Sequence, residues 1–140
     1  KINFEPQKDY STIAITVDFS TSDNKAINKA LQLGGKQAGY RLIHVLESTN
    51  AVIYGEETND HERIIDNQNL LSYKAQLLEK GYKCEIQLGF GNPKFVIPKL
   101  IDNCDLLVMG THGHTTIKDL LFGTTVESVR HKITIPLVLV

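Results

Sequence analysis

Residues 12–18, "TIAITVD", form a run in which β-branched and apolar side chains occupy nearly every position. A strand with one face in solvent alternates apolar and polar residues, whereas a strand covered on both faces of a parallel sheet is apolar throughout. The run therefore predicts a buried strand of an α/β domain.

Three later segments share this apolar, strand-like character, namely residues 40–46, 105–110 and 135–140, and residues 82–89 alternate between apolar and polar side chains as a further strand. Between these strand segments, apolar residues recur at helical spacing. Ser22 is the expected N-cap of the first helix, which the glycines at 34, 35 or 39 could end. Strands alternating with helices predict right-handed crossovers and a doubly wound parallel sheet.

The remaining helices are predicted over residues 61–80, from Asn92–Pro93 onward, and over 124–132. The second rests on the spacing of its apolar residues, which are Ile64, Ile65, Leu70, Leu71, Leu77 and Leu78. Pro98 should kink or shorten the third. Residues 47–60 lack a clear period and predict a long connection.

The composition fits one globular domain. The chain has 140 residues, 41% hydrophobic and 22% charged, with a net charge of -1. We expect an N-terminal arm over 1–10 and a domain over 11–140. The charge balance and the lack of a basic run make nucleic acid an unexpected partner.

Cysteine usage and hydropathy indicate a cytoplasmic protein. Cys84 and Cys104 form no CxxC pair, which is typical of ordinary thiols in a reducing compartment. No apolar run reaches the roughly 18 residues of a membrane span. The start of the chain lacks the apolar segment of a signal peptide.

A glycine-rich stretch, "MGTHGHTTIKDLLFGTT", covers residues 109–125 after the fourth strand. Gly110, Gly113 and Gly123 follow the spacing G-x2-G-x9-G, with Thr124 next. Glycine lets a ligand approach the backbone, and N–H groups of such a loop and of the next helix can bind anions. The alternative is that these glycines are turn residues and the threonines a helix cap. Neither a Walker A loop nor G-x-G-x-x-G occurs.

With these motifs, the chain resembles the ATP-binding subgroup of the universal stress proteins over about residues 10–140. The glycine spacing, the aspartate in "ITVDFS" and the closing "IPLVLV" are similar to features of that subgroup. The resemblance implies a Rossmann-like, five-stranded sheet in the order 3-2-1-4-5 with helices on both faces.

The resemblance also implies an adenine-nucleotide site. Asp18 would accept from the ribose or the adenine edge, Val45 would contact adenine, and Thr16 stands where the family often has proline or another small residue. Met109 and Gly110 would line the adenine and ribose. The phosphates would be surrounded by Thr111, His112, Gly113, Gly123, Thr124 and Thr125.

Several of these residues have simpler interpretations. Asp18 could cap the first helix or its preceding turn, and His112 and His114 could be exposed loop residues. Two histidines without a third ligand do not predict a metal site. His44, within an apolar strand, is expected to be a satisfied core residue.

The leading functional hypothesis is an ATP-binding regulatory domain, with Mg²⁺ reaching the phosphates and a homodimer formed through residues 135–140. No recognisable hydrolytic set is present, so the expected enzymatic activity is at most slow ATP hydrolysis. Alternatives are a weak ATPase and a dimeric interaction protein with an empty pocket. Another is a cytosolic domain fused to an Nramp-type metal transporter, binding ATP, AMP or cyclic di-AMP; a start at Lys1 fits an excised domain.

Overall fold

The computed structural model describes residues 9–47, 60–110 and 125–140. Strands and helices alternate along these residues as the hydrophobic pattern predicts. Their bounds are β1 Thr12–Thr16, α1 Asp23–Gly34, β2 Gly39–Leu46, α2 Asp60–Glu79, β3 Lys83–Phe90, α3 Pro93–Leu100, β4 Leu106–Met109, α4 Val126–Lys132 and β5 Leu137–Leu139.

All strand pairs of the sheet are parallel, and the strand order is β3-β2-β1-β4-β5. The predicted doubly wound α/β sheet in the order 3-2-1-4-5 is confirmed. The chain builds outward from β1 to β3 and then returns to place β4 on the other side of β1. The sheet therefore has its topological switch point between β1 and β4, where ligands of such folds bind.

Each face of the sheet carries its own hydrophobic core. Ile13 and Ile15 of β1 pack with residues of α1 and α2 on one face. Ala14, between them in sequence, packs with residues of α3 and α4 on the other face. All three side chains are fully buried, which explains why β1 is apolar at successive positions.

The first helix begins and ends at residues that the sequence predicts, and its two ends differ in how they are capped. Ser22 stands at the N-cap position, as predicted, although its side chain makes no capping hydrogen bond. The Ser22 hydroxyl lies 2.7 Å from the hydroxyl of Ser20 instead. At the other end Gly35 has φ 64° and donates its N–H to Leu31, a conformation that favours glycine.

The other described helices follow the expected boundaries. Within α2, Leu70 and Leu77 are buried, whereas Ile64, Leu71 and Leu78 are exposed. Asn92 caps α3 by accepting from the N–H of Lys94 at 3.0 Å. That helix continues past Pro98 only as far as Leu100, a length of eight residues. None of the helices in the described parts of the chain is long and apolar enough to cross a membrane.

Candidate functional site

A cleft opens where β1, β2 and β4 reach their carboxyl ends, beside the first turns of α1, α3 and α4. Six of the residues predicted for the site line it together: Thr16, Asp18, Val45, Met109, Gly110 and Thr125. They come from distant parts of the sequence, and the parallel order of the three strands brings them to one edge of the sheet. The other predicted residues, Thr111, His112, Gly113, Gly123 and Thr124, lie outside the described residues, as does His114.

Gly110 leaves backbone exposed on the wall of this cleft. A Cβ atom built at this position would approach only the Ser22 hydroxyl among the described atoms, at 3.9 Å, which is an ordinary contact. By contrast, a Cβ at Gly34 would lie 2.6 Å from Ile13 and from Tyr40. The packing of the described residues thus requires glycine at position 34. At position 110, by contrast, the described residues leave space that a ligand can occupy.

One wall of the cleft is apolar. Val45 and Met109, at the ends of β2 and β4, contribute to it together with Pro93 and Ile97 of α3. Met109 and Ile97 also belong to the core on that face of the sheet, so their positions are fixed by packing. Such a surface can accept the flat face of an aromatic ring.

The loop between β1 and α1 brings the carboxylate of Asp18 to the cleft. Its Oδ1 accepts from the backbone N–H of Ser20 at 3.0 Å and from the Ser20 hydroxyl at 2.6 Å. The alternative expectation that Asp18 caps the turn before the first helix is therefore confirmed. The following residue, Phe19, has φ 65°, which is unusual for a side chain of this size.

Asp23, in the first turn of α1, is a buried carboxylate in the cleft wall, with a relative exposure of 4%. It accepts from the N–H groups of Asp18 and Phe19 at 3.1 and 2.7 Å, and from the Tyr73 hydroxyl at 2.8 Å. Burial raises the pKa of Asp23 to about 6, although the hydrogen bond from Tyr73 opposes this rise. The negative charge of Asp18 raises the pKa of Asp23 further.

His44 connects the cleft to α2. Its Nδ1 lies 2.9 Å from the carbonyl oxygen of Val17, and its Nε2 lies 3.0 Å from Oδ2 of Asp66. The expectation of a satisfied histidine is confirmed, although the ring also lines the cleft. The Phe19 ring packs against the His44 ring, with ring centroids 4.5 Å apart.

The described wall of the cleft is acidic. It includes Asp18, Asp23 and Glu47, and neither lysine nor arginine occurs among its described lining residues. Burial raises the pKa of the Glu47 carboxyl, and His44 partly offsets this effect. A neutral group with hydrogen-bond donors suits this wall, whereas an anion would need a cation from elsewhere. Within residues 9–47, 60–110 and 125–140, no group of three or more histidine, cysteine or acidic side chains could hold a metal ion.

Sequence reasoning missed Asp23, Glu47 and the cleft-lining position of His44. An acidic residue in the first turn of a helix is ordinary, so Asp23 carried no signal of its own. His44 precedes Val45 in the second strand and Glu47 follows the end of that strand, and their nearness to a predicted site residue was the one available indication.

Comparisons with known proteins agree with this architecture. The sequence model of the Universal stress protein family matches residues 9–140. A Staphylococcus aureus protein (strain USA300) that carries the family's name is 30% identical over 131 residues, which cover 87% of this chain and 79% of that protein.

Solved structures include close matches in fold. The protein MJ0577 has a TM-score of 0.74 and 25% identity, with 94% of this chain and 95% of that one covered. A universal stress protein in complex with cAMP has a TM-score of 0.65 and 24% identity, covering 94% and 97%. One from Archaeoglobus fulgidus in complex with dAMP has a TM-score of 0.65 and 18% identity, covering 93% and 97%.

The family match extends over every described strand and helix. These strands form the parallel sheet in which neighbouring strands follow the order β3-β2-β1-β4-β5. The chain belongs to the universal stress protein family.

Proposed function

We propose that this chain binds an adenine nucleotide, with ATP as the leading ligand, in the cleft at the carboxyl ends of β1, β2 and β4. One observation carries the proposal: Asp18, Val45, Met109 and Gly110 line one cleft at the switch point of the sheet, and a Cβ built at Gly110 would meet none of the described side chains closer than 3.9 Å. Complexes of family members with cAMP and dAMP support an adenine nucleotide as the ligand class.

The described walls suit the adenosine half of such a ligand. Adenine would lie on the apolar surface that includes Val45 and Met109. The Asp18 carboxylate would accept a hydrogen bond from a ribose hydroxyl or from the adenine amino group. Adenine and ribose are neutral and donate hydrogen bonds, which agrees with the acidic character of this wall.

The phosphates would extend away from these carboxylates. We assign them to the glycine-rich stretch, through Thr111, His112, Gly113, Gly123 and Thr124, with Thr125 at the cleft end. Mg²⁺ bound to the phosphates would offset their negative charge, which the acidic lining of the cleft disfavours. This division predicts that the phosphate contribution to affinity depends on Mg²⁺ more strongly than the adenosine contribution does.

The biological role that we propose is a cytoplasmic sensor in the stress response. The strand β5 is the edge of the described sheet, and Leu139 on it is 42% exposed. An apolar edge of this kind pairs readily with a second copy about a two-fold axis. Since Val140 donates to the carbonyl of Met109 at 2.9 Å, this edge is directly connected to the cleft.

Calorimetric titration tests the proposed ligand and its place. The purified chain is titrated with ATP, AMP and cyclic di-AMP, each with and without Mg²⁺. Gly110→Val fills the cleft wall and should abolish measurable binding. Gly39→Val is the matched control, since a Cβ there meets only the carbonyl oxygen of Ser11, at 3.6 Å, near the opposite end of the sheet. Equal binding by both variants would refute the cleft assignment.

A further inference from the structure

The loop that brings Asp18 into the cleft is held in an unfavourable backbone conformation. Phe19 has φ 65°, a region that is costly for residues other than glycine, asparagine and aspartate. Such strain persists only where surrounding contacts fix the backbone. The contacts that fix it here can be identified.

Asp23 supplies them from the first turn of α1. Its Oδ1 accepts from the N–H of Asp18 at 3.1 Å, and its Oδ2 accepts from the N–H of Phe19 at 2.7 Å. Two successive N–H groups thus point at one carboxylate. The Tyr73 hydroxyl, from α2, donates to the same Oδ2 at 2.8 Å and fixes the carboxylate in turn.

Only an ionised carboxylate satisfies this arrangement in full. Three donors converge on two oxygens, and both oxygens must accept. An amide in the same place would turn one acceptor into a donor, and a protonated carboxyl would do the same in part. Yet the side chain is buried, and burial disfavours its charge. A carboxylate here therefore costs folding energy that an apolar residue would not cost.

We propose that Asp23 is a positioning residue of the nucleotide cleft, which acts by fixing the backbone of Asp18 and Phe19 so that the Asp18 carboxylate meets the ligand. The inference rests on the proposed function. It adds a residue of the cleft wall that acts through Asp18 and determines whether the adenosine contact forms.

Several charged or titratable groups lie around Asp23 and bear on its test. Asp18 is in the loop itself and Tyr73 comes from α2, while His44 of β2 and Glu47, directly after β2, also line the cleft. The Asp66 carboxylate, also from α2, bonds to His44. A pH profile must therefore separate Asp23 from His44, and paired variants achieve this.

The test measures adenosine affinity between about pH 5 and about pH 8, since adenosine has no group that titrates there and nucleotide phosphates do. The variants are Asp23→Asn and Tyr73→Phe. Their controls are Asp102→Asn, an exposed acid on the turn before β4, and Tyr82→Phe, which lies away from the cleft. Amide spectra report whether each variant is folded.

Wild-type affinity should fall as the pH drops through about 6, the pKa of Asp23. Asp23→Asn should bind adenosine about tenfold more weakly at pH 7.5 and lose this dependence. Tyr73→Phe should move the midpoint to higher pH, because the Tyr73 hydrogen bond lowers the pKa of Asp23. This second variant keeps the test decisive if Asp23→Asn does not fold.

The inference is overturned if Asp23→Asn retains wild-type affinity, or if it keeps the pH dependence, which would then arise from another group of the cleft. An unmoved midpoint in Tyr73→Phe also contradicts it. A wild-type chain that binds neither adenosine nor any adenine nucleotide would overturn the proposed function together with this inference. These two failures are thereby distinguished.

Discussion

The hydroxyl of Tyr73 in α2 donates a 2.8 Å hydrogen bond to the buried carboxylate of Asp23, 50 positions earlier in the chain. Through Asp23 this bond reaches the N–H groups of the loop that carries Asp18. A second link, from Asp66 to His44 and then to the Val17 carbonyl, runs parallel to it. The helix α2 is therefore attached to the cleft at two points.

Titration of Asp23 should appear in the stability of the fold. Its folded pKa of about 6 exceeds the ordinary value of 3.8, so the folded state binds this proton more tightly than the unfolded chain. The stabilisation is thus complete below about pH 4 and is lost as the pH rises through 6, by about 3 kcal/mol at most. Urea unfolding of wild type and Asp23→Asn should show a difference that changes over this range. A pH-independent difference would contradict the assignment.

The strain at Phe19 predicts an unusual order of two substitutions. Phe19→Ala and Phe19→Gly both remove the ring that packs against His44 and Tyr73. Glycine relieves the cost of φ 65° while alanine keeps it, so Phe19→Gly should be more stable by about 1 kcal/mol. Thermal unfolding of both variants provides the comparison. An alanine variant as stable as the glycine variant would show that the backbone is not strained there.

Gly34→Ala should destabilise the domain although alanine is the better helix former. The added Cβ would lie 2.6 Å from side-chain atoms of Ile13 and Tyr40 and 2.9 Å from Ala38, all of which are fully buried. We expect a loss of about 1–3 kcal/mol in the free energy of unfolding. Gly39→Ala, which meets one backbone oxygen at an ordinary distance, serves as its control. Equal stability of Gly34→Ala and Gly39→Ala would contradict the prediction that position 34 has no room for a Cβ atom.

The link between α2 and β2 can be weakened at Asp66. Asp66→Asn keeps an acceptor near Nε2 of His44 but removes the charge, and we expect a loss of about 1 kcal/mol in the free energy of unfolding. Glu79→Gln makes the same change at an exposed position of that helix and should have an effect of less than about 0.5 kcal/mol. Urea unfolding of Asp66→Asn and Glu79→Gln tests this prediction. Equal unfolding midpoints for the two variants would contradict the second attachment of α2 to the cleft.

The strand β1 was predictable because both faces of the sheet are covered there. Ile13 and Ala14 face opposite cores, so the sequence of β1 is apolar at each position and could be recognised without any long-range information. Glycine at 34–35 and the Asn92–Pro93 pair likewise indicated helix ends through local chemistry alone. These features depend on neighbours in sequence.

Features that depend on distant contacts could not be predicted. Helical spacing in α2 offers two apolar stripes, and only contact with the sheet determines that Leu70 and Leu77 are buried while Leu71 and Leu78 are exposed. Asp23 has the sequence position of an ordinary acidic residue at a helix start. Its burial depends on Tyr73 and on the backbone of Phe19, whose positive φ is unexpected for that residue type.

The central claim is that an adenine nucleotide occupies the cleft at the switch point of the sheet. The most direct test follows the backbone amide resonances of the isotope-labelled chain during titration with ATP and Mg²⁺. We expect saturable shifts concentrated at Asp18, Val45, Met109 and Gly110, with little change at the opposite end of the sheet around Lys83–Glu85. Shifts confined to that opposite end, or no saturable shift at all, would contradict it.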